Sequence, residues 1–203
     1  MAEKLVIEIF KDKPVAELAK IISEPDSKLE TGSAAAVCAA FASALLERAA
    51  IFAQSADSED ECAAYVSKNA GILRDYMAHL IDEDVRSRAV LKRALKEGGE
   101  REIEAARHPA GAICAEIVNM MCKCISLASE LHPHCPKEAL HYLAESAEMA
   151  LGAMKAAAIY TVDMADKCSD DTYRFIIRRE NELMIQDAEK SARELVSKIM
   201  QEI

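Results

Sequence analysis

Apolar positions recur at helical spacing along almost the whole chain and alternate only once. Residues 4–10, KLVIEIF, alternate and predict a short strand or an extended arm, with no later segment to pair with it. Pro14 suits the first position of a helix, and PVAELAKIISE then runs as a short amphipathic helix towards Pro25. PDSKLETGS is rich in turn formers and reads as a loop. A helix of small residues follows from about Ser33 to Gln54. Asp57 and Ser58 are N-cap candidates for the next helix, which runs to about Lys96 and carries Tyr65, Ile72, Leu73, Met77, Leu80 and Ile81. EGGE breaks the pattern, and another helix spans about 101–131. His108-Pro109 inside it predicts a kink or a split. HPHCP, 132–136, connects to an alanine-rich helix over 137–167, and a charge-alternating helix covers 170–202.

No strand-rich region or repeat competes with this reading. The fold class is all-α, a bundle of about five or six long helices in one domain over 1–203, with 1–13 as an extended arm. Two segments, 33–46 and 144–158, are unusually poor in bulk. Small side chains let helix axes approach at the low end of ~8–10 Å. These two are therefore expected as central helices packed against each other, or as a surface for self-association.

Composition narrows the partners. The chain has 203 residues, 51% hydrophobic and 30% charged, enough for one substantial core. Its net charge of −10 and lack of a basic stripe argue against nucleic acid and against an anionic membrane surface. No apolar run reaches ~18 uninterrupted residues, so no membrane span is expected. The acidic start lacks a secretory signal. Seven cysteines, mostly in apolar helical segments, read as buried hydrophobes in a reducing cytoplasm. Leu183, Ile185, Leu195, Val196 and Ile199 form a stripe that a homodimer partner would cover.

The order of segments resembles the cyclodeaminase domain of formiminotransferase-cyclodeaminase and the related methenyltetrahydrofolate cyclohydrolases, from about Val15 to Met200. Four landmarks carry the resemblance. They are Pro25 with Gly32-Ser33-Ala34-Ala35-Ala36, the paired aspartates Asp82 and Asp84 in LIDEDVRSR, the helix after His108-Pro109, and Gly152-Ala153 through Asp163 and Asp166. Departures are equally specific. Glu30 and Thr31 stand where the family has glycines, and Lys137-Glu138 where it has Ser-Asp. Ala156 and Tyr160 replace asparagines, and Arg88 replaces an aromatic.

The resemblance implies a tetrahydrofolate derivative as substrate or ligand, a homodimer, and no further cofactor. It implies chemistry at a one-carbon unit between N5 and N10, where a carboxylate stabilises a cation and moves a proton. Asp82 and Asp84 are the candidate catalytic residues. Two positions apart on a helix they lie ~200° apart, so one should face a cleft beside the small-residue helix and the other should be solvated near an Arg. The plainer alternative is an acidic face paired with Arg86, Arg88 or Lys92. Gly32 and Ser33 are candidate substrate-binding residues, and Ser33 is equally an N-cap candidate. His132, His134 and Glu138, at the family's Asn/Ser-Asp loop, complete the expected binding set; a simple surface loop is the alternative. His132, His134 and Cys135 also invite a zinc reading, but their spacing matches no common structural site, and no metal is expected. Two function classes stand: a folate-linked cyclohydrolase or cyclodeaminase, and a non-catalytic relative using the same scaffold to bind a ligand or partner.

Overall fold

The hydrophobic pattern winds into six α-helices in the computed structural model, which describes residues 8–203. They are α1 (Val15–Ile22), α2 (Thr31–Ala56), α3 (Glu61–Glu97), α4 (Glu100–Leu131), α5 (Leu140–Asp166) and α6 (Asp171–Glu202). Two 3₁₀ turns, His132–His134 and Lys137–Ala139, join α4 to α5. No strand occurs among the described residues, and the all-α expectation stands. Most of the alternating segment 4–10 lies outside the described residues; Glu8, Ile9 and Phe10 are in neither helix nor strand.

Helices α2, α3, α4 and α5 share one core, and α6 lies along α5 and α4. The two small-residue segments do meet. On α2, Ala36, Ala39, Ala42, Ala49 and Ala50 are fully buried, and on α5 so are Ala147, Ala150 and Ala157. Ser146 on α5 donates its hydroxyl to the backbone carbonyl of Ala42 on α2 at 2.8 Å. A side chain that reaches a neighbour's backbone requires the two helices to lie close, and only small residues leave that space.

Thr31–Ala56 and Glu100–His134 are long and apolar enough to cross a membrane by length and composition, although neither contains an uninterrupted apolar run of ~18 residues. Here 44% and 50% of their apolar windows are buried inside the bundle, which explains their hydropathy by core packing.

Several local expectations are corrected. Pro14 precedes α1 as its N-cap residue rather than opening it. The N-cap of α3 is Asp60, whose Oδ1 accepts from Ala63 N–H at 3.0 Å, in place of Asp57 or Ser58. Helix α4 is not split at His108-Pro109. Ala106 and Ala110 flank the proline and pack with Leu91 and Met164 in a small satellite cluster, and this burial carries the helix across the missing N–H. In the stripe expected to meet a partner, Leu195 and Ile199 belong to the chain's own core, whereas Leu183 is exposed.

Candidate active site

Helix α2 begins two residues earlier than its pattern predicts, with Glu30 as N-cap. Ser33 is therefore inside the first turn, and its hydroxyl does not cap its own helix. It turns to α3, where Asp84 Oδ2 accepts from the Ser33 hydroxyl at 2.7 Å and from the Ser33 N–H at 2.8 Å. One orphan N–H of the helix start is thus satisfied by a carboxylate from the neighbouring helix. Asp84 is completely buried.

Gly32 makes this approach possible. A β-carbon there would lie 2.2 Å from Asp84 Oδ1. The glycine's φ is not positive, so space rather than backbone freedom requires it.

The other oxygen of Asp84 faces Arg88, one turn along α3, with Nε to Oδ1 at 3.0 Å. Arg88 is itself buried and also pairs with Glu30. Its guanidinium carbon lies 3.8 Å from the ring centroid of Tyr160 on α5, a cation–π contact. Lys92 Nζ closes the array on Glu30 at 2.6 Å. Two acids and two bases alternate here, so the local charge is near balance. Arg88 Nη2 is buried without an acceptor among the described residues. Burial pushes the Tyr160 hydroxyl up to about 12 against the pull of Arg88, so the ring is a neutral phenol.

Outside this array lies a cleft of about 640 Å³, lined by Ile22, Asp26, Leu29, Glu30 and Lys92 among others. That volume suits a small organic ligand. Glu30 borders the cleft on one side and holds Arg88 on the other, so the Glu30–Arg88 pair stands between the cleft and Asp84.

Asp82 does not take the solvated place expected for the second aspartate. It is buried, and its Oδ1 accepts from Phe10 N–H at 2.7 Å. The two aspartates do diverge around α3, but the N-terminal segment folds back and covers the second face. Phe10 is only 2% exposed. The aspartate near an arginine is the one beside Ser33, so the ion pair with Arg88 and the position beside the small-residue helix belong to one residue.

The remaining candidates lie at the opposite end of the bundle. His134 Nδ1 is 2.7 Å from Asp60 Oδ2. Asp60 precedes Asp84 by 24 positions, about 36 Å along a helix at ~1.5 Å per residue. His132 lies near Glu202, with Nε2 to Oε1 at 3.2 Å, and Glu138 is exposed on its own turn. Within one chain these three do not line a cleft with Gly32, Ser33 and Asp84. Helix length is the reason, since the α4–α5 connector meets the start of α3 and Asp84 lies in its second half.

The Asp84–Arg88 pair is the one the plainer alternative offered, although buried rather than on a solvated face. Tyr160 and Glu30 are the site residues that pattern reading did not join to it. Each is a separate departure from the family pattern, and only their joint contact in the fold shows that the departures belong together.

An all-α bundle with a buried carboxylate locked against the start of a small-residue helix is the class that fold and site define. The family model of formiminotransferase-cyclodeaminase matches residues 14–182, and the chain belongs to that family. Among solved structures, formiminotetrahydrofolate cyclodeaminase from Thermotoga maritima superposes with a TM-score of 0.85 at 16% identity, covering 94% of this chain and 98% of that one. That likeness establishes a shared fold. A comparison with curated protein sequences found no match.

Proposed function

We propose that the chain is a folate-linked one-carbon enzyme of the cyclohydrolase or cyclodeaminase type, working in the cytoplasm as a homodimer, with Asp84 as its acid–base carboxylate. The observation that carries this reading is Asp84, a fully buried acid fixed by Ser33 beside a guanidinium donor that has no acceptor among the described residues. Leaving such a donor unmet costs ~1–3 kcal/mol, and a ligand oxygen would satisfy it.

In the cyclohydrolase reaction, water adds to the cationic bridge carbon between N5 and N10. The Asp84 carboxylate takes the proton from that water and returns it to the leaving nitrogen as one C–N bond opens, while the carbinol hydroxyl loses its proton to solvent and becomes the formyl oxygen. In the cyclodeaminase direction, N10 attacks the carbon of the protonated, amidinium-like formimino group, and Asp84 relays the N10 proton to the amine nitrogen, which leaves as ammonia and yields the cationic bridge. Either route requires Arg88 to leave the space beside Asp84, with Glu30 and Lys92 at the mouth of the cleft. Gly32 and Ser33 hold the carboxylate in place, and Asp82 anchors the N-terminal segment.

A second reading has its own observation. Both oxygens of Asp84 are engaged, and Arg88 stacks on Tyr160 where the family resemblance places an aromatic and an asparagine. This describes a relative whose pocket is filled by its own side chains and which binds a ligand or partner without catalysis.

The test is hydrolysis of methenyltetrahydrofolate and cyclisation of formiminotetrahydrofolate by the wild-type chain and Asp84→Asn, with calorimetry for folate binding. Turnover that falls in Asp84→Asn supports the first reading. Neither turnover nor folate binding in the wild type leaves the second.

A further inference from the structure

A group of metal-binding side chains lies far from Asp84 and plays no part in the reading above. Asp60, Cys62 and His134 place a carboxylate oxygen, a sulfur and a ring nitrogen within 4.8 Å of one another. The α3 N-terminus supplies the first two, and the 3₁₀ turn after α4 supplies the third. Two residues apart within a helix would diverge. Asp60 is the N-cap, outside the helix, so its side chain and that of Cys62 converge.

We propose that Asp60, Cys62 and His134 form a site for a divalent transition-metal ion of the zinc type, with a fourth position open to solvent. Nitrogen, sulfur and oxygen donors together suit zinc, and three protein ligands with one open position are a recognised zinc arrangement.

The side chains are already poised for it. Asp60 divides its work: Oδ1 caps Ala63, and Oδ2 faces His134 Nδ1 at 2.7 Å. An ion would take the place of the proton between that oxygen and nitrogen. The imidazole proton then sits on Nε2, and the Cys62 thiol gives up its proton as sulfur binds the metal. That thiol now points to the Glu130 backbone carbonyl at 3.8 Å, a weak contact that is easily exchanged. Surrounding charge favours a cation. Glu59 and Glu61 flank Asp60 in sequence, and Glu130 is the residue whose carbonyl the Cys62 thiol meets.

A second cluster shows what an unsuitable setting looks like. Glu104, His108 and Cys168 are equally close together. There the Arg107 guanidinium lies 3.5 Å from Glu104, Arg174 donates to the Cys168 carbonyl, and Ser169 already occupies Glu104. Fixed cations hold the ground a metal would need.

The HPHC loop thus contributes one ligand. The partners of His134 are 74 and 72 positions upstream, out of reach of any local spacing rule. The ion would tie the start of α3 to the α4–α5 connector.

The experiment titrates the chelator-treated full-length chain with Co²⁺ and then displaces it with Zn²⁺. The expected result is one ion per chain, with a thiolate-to-cobalt charge-transfer band and visible d–d bands of a four-coordinate site. Cys62→Ser should abolish the charge-transfer band. His134→Ala should weaken Zn²⁺ binding by about tenfold or more, while Cys135→Ser should change neither. Zinc should also raise the melting temperature of the wild type but not of Cys62→Ser, with circular dichroism confirming that each variant folds. Absence of a thiolate band in the wild type, or its survival in Cys62→Ser, overturns the proposal.

Discussion

Gly32 and Asp84 approach so closely that a single added methyl group at Gly32 would lie 2.2 Å from the carboxylate oxygen. The Asp84 oxygens are held by Ser33 and Arg88 and have no free direction to retreat. Gly32→Ala should therefore push α2 and α3 apart at their contact. A loss of ~1–3 kcal/mol is expected, the usual range for overpacking, read as a shifted urea midpoint. An unchanged midpoint would mean that the acid moves freely, contrary to its hydrogen bonds.

The two aspartates should respond differently to the same change. Asp84→Asn breaks a buried pair with Arg88, which keeps Glu30 as a partner, so the loss should fall near the low end of ~3–5 kcal/mol. Under the enzyme reading, its rate should fall ~10²–10⁴-fold. Asp82→Asn keeps an acceptor for Phe10 N–H and should cost about 1 kcal/mol with little change in rate. Chemical denaturation and a folate assay on both variants decide it. Equal small effects would move the proton chemistry away from α3.

The alkaline side of the stability profile should slope downward. Burial raises the Cys114 thiol to about 12 and that of Cys124 to about 11 from an ordinary 9.0, and the Tyr160 phenol to about 12 from 10.0. The folded chain holds these protons more tightly than the unfolded chain. Their contribution is complete below the ordinary values and is lost as pH climbs through the raised ones. The urea midpoint should be lower at pH 10 than at pH 7. A higher midpoint at pH 10 would contradict the burial of these groups.

Association should follow the exposed apolar face of α5 and α6. Ile159 and Phe175 are 72% and 70% exposed and flank a groove of about 840 Å³ shared with Val162 and Ile185. Large exposed apolar patches mark interaction surfaces. Sedimentation should give about 44 kDa, twice the 22.2 kDa chain, as C₂ pairing predicts. Phe175→Asp should shift it towards 22 kDa. A wild-type monomer at micromolar concentration would remove the dimer.

Helix periodicity was legible because burial follows the 3.6-residue repeat, and the alanine segments announced their own packing. The start of α2 was misplaced because Ser33 looks like a cap, and only the partner carboxylate on α3 shows otherwise. One of the two aspartates was expected in water because a helical wheel has no knowledge of a segment folding back over it, as Phe10 does over Asp82. His132, His134 and Glu138 were grouped with Ser33 through family position, and the length of α3 separates them.

The alanine seam between α2 and α5 also sets how the sequence can change over evolutionary time. At Ala39, Ala42, Ala147 or Ala150, where nothing is exposed, nearly every replacement adds volume the seam has no room for. The array around Arg88 is built instead from long side chains, Glu30, Lys92 and Tyr160, that come from α3, α5 and the residue before α2. The seam therefore fixes the frame of the bundle and leaves its chemistry to be set elsewhere on the same helices.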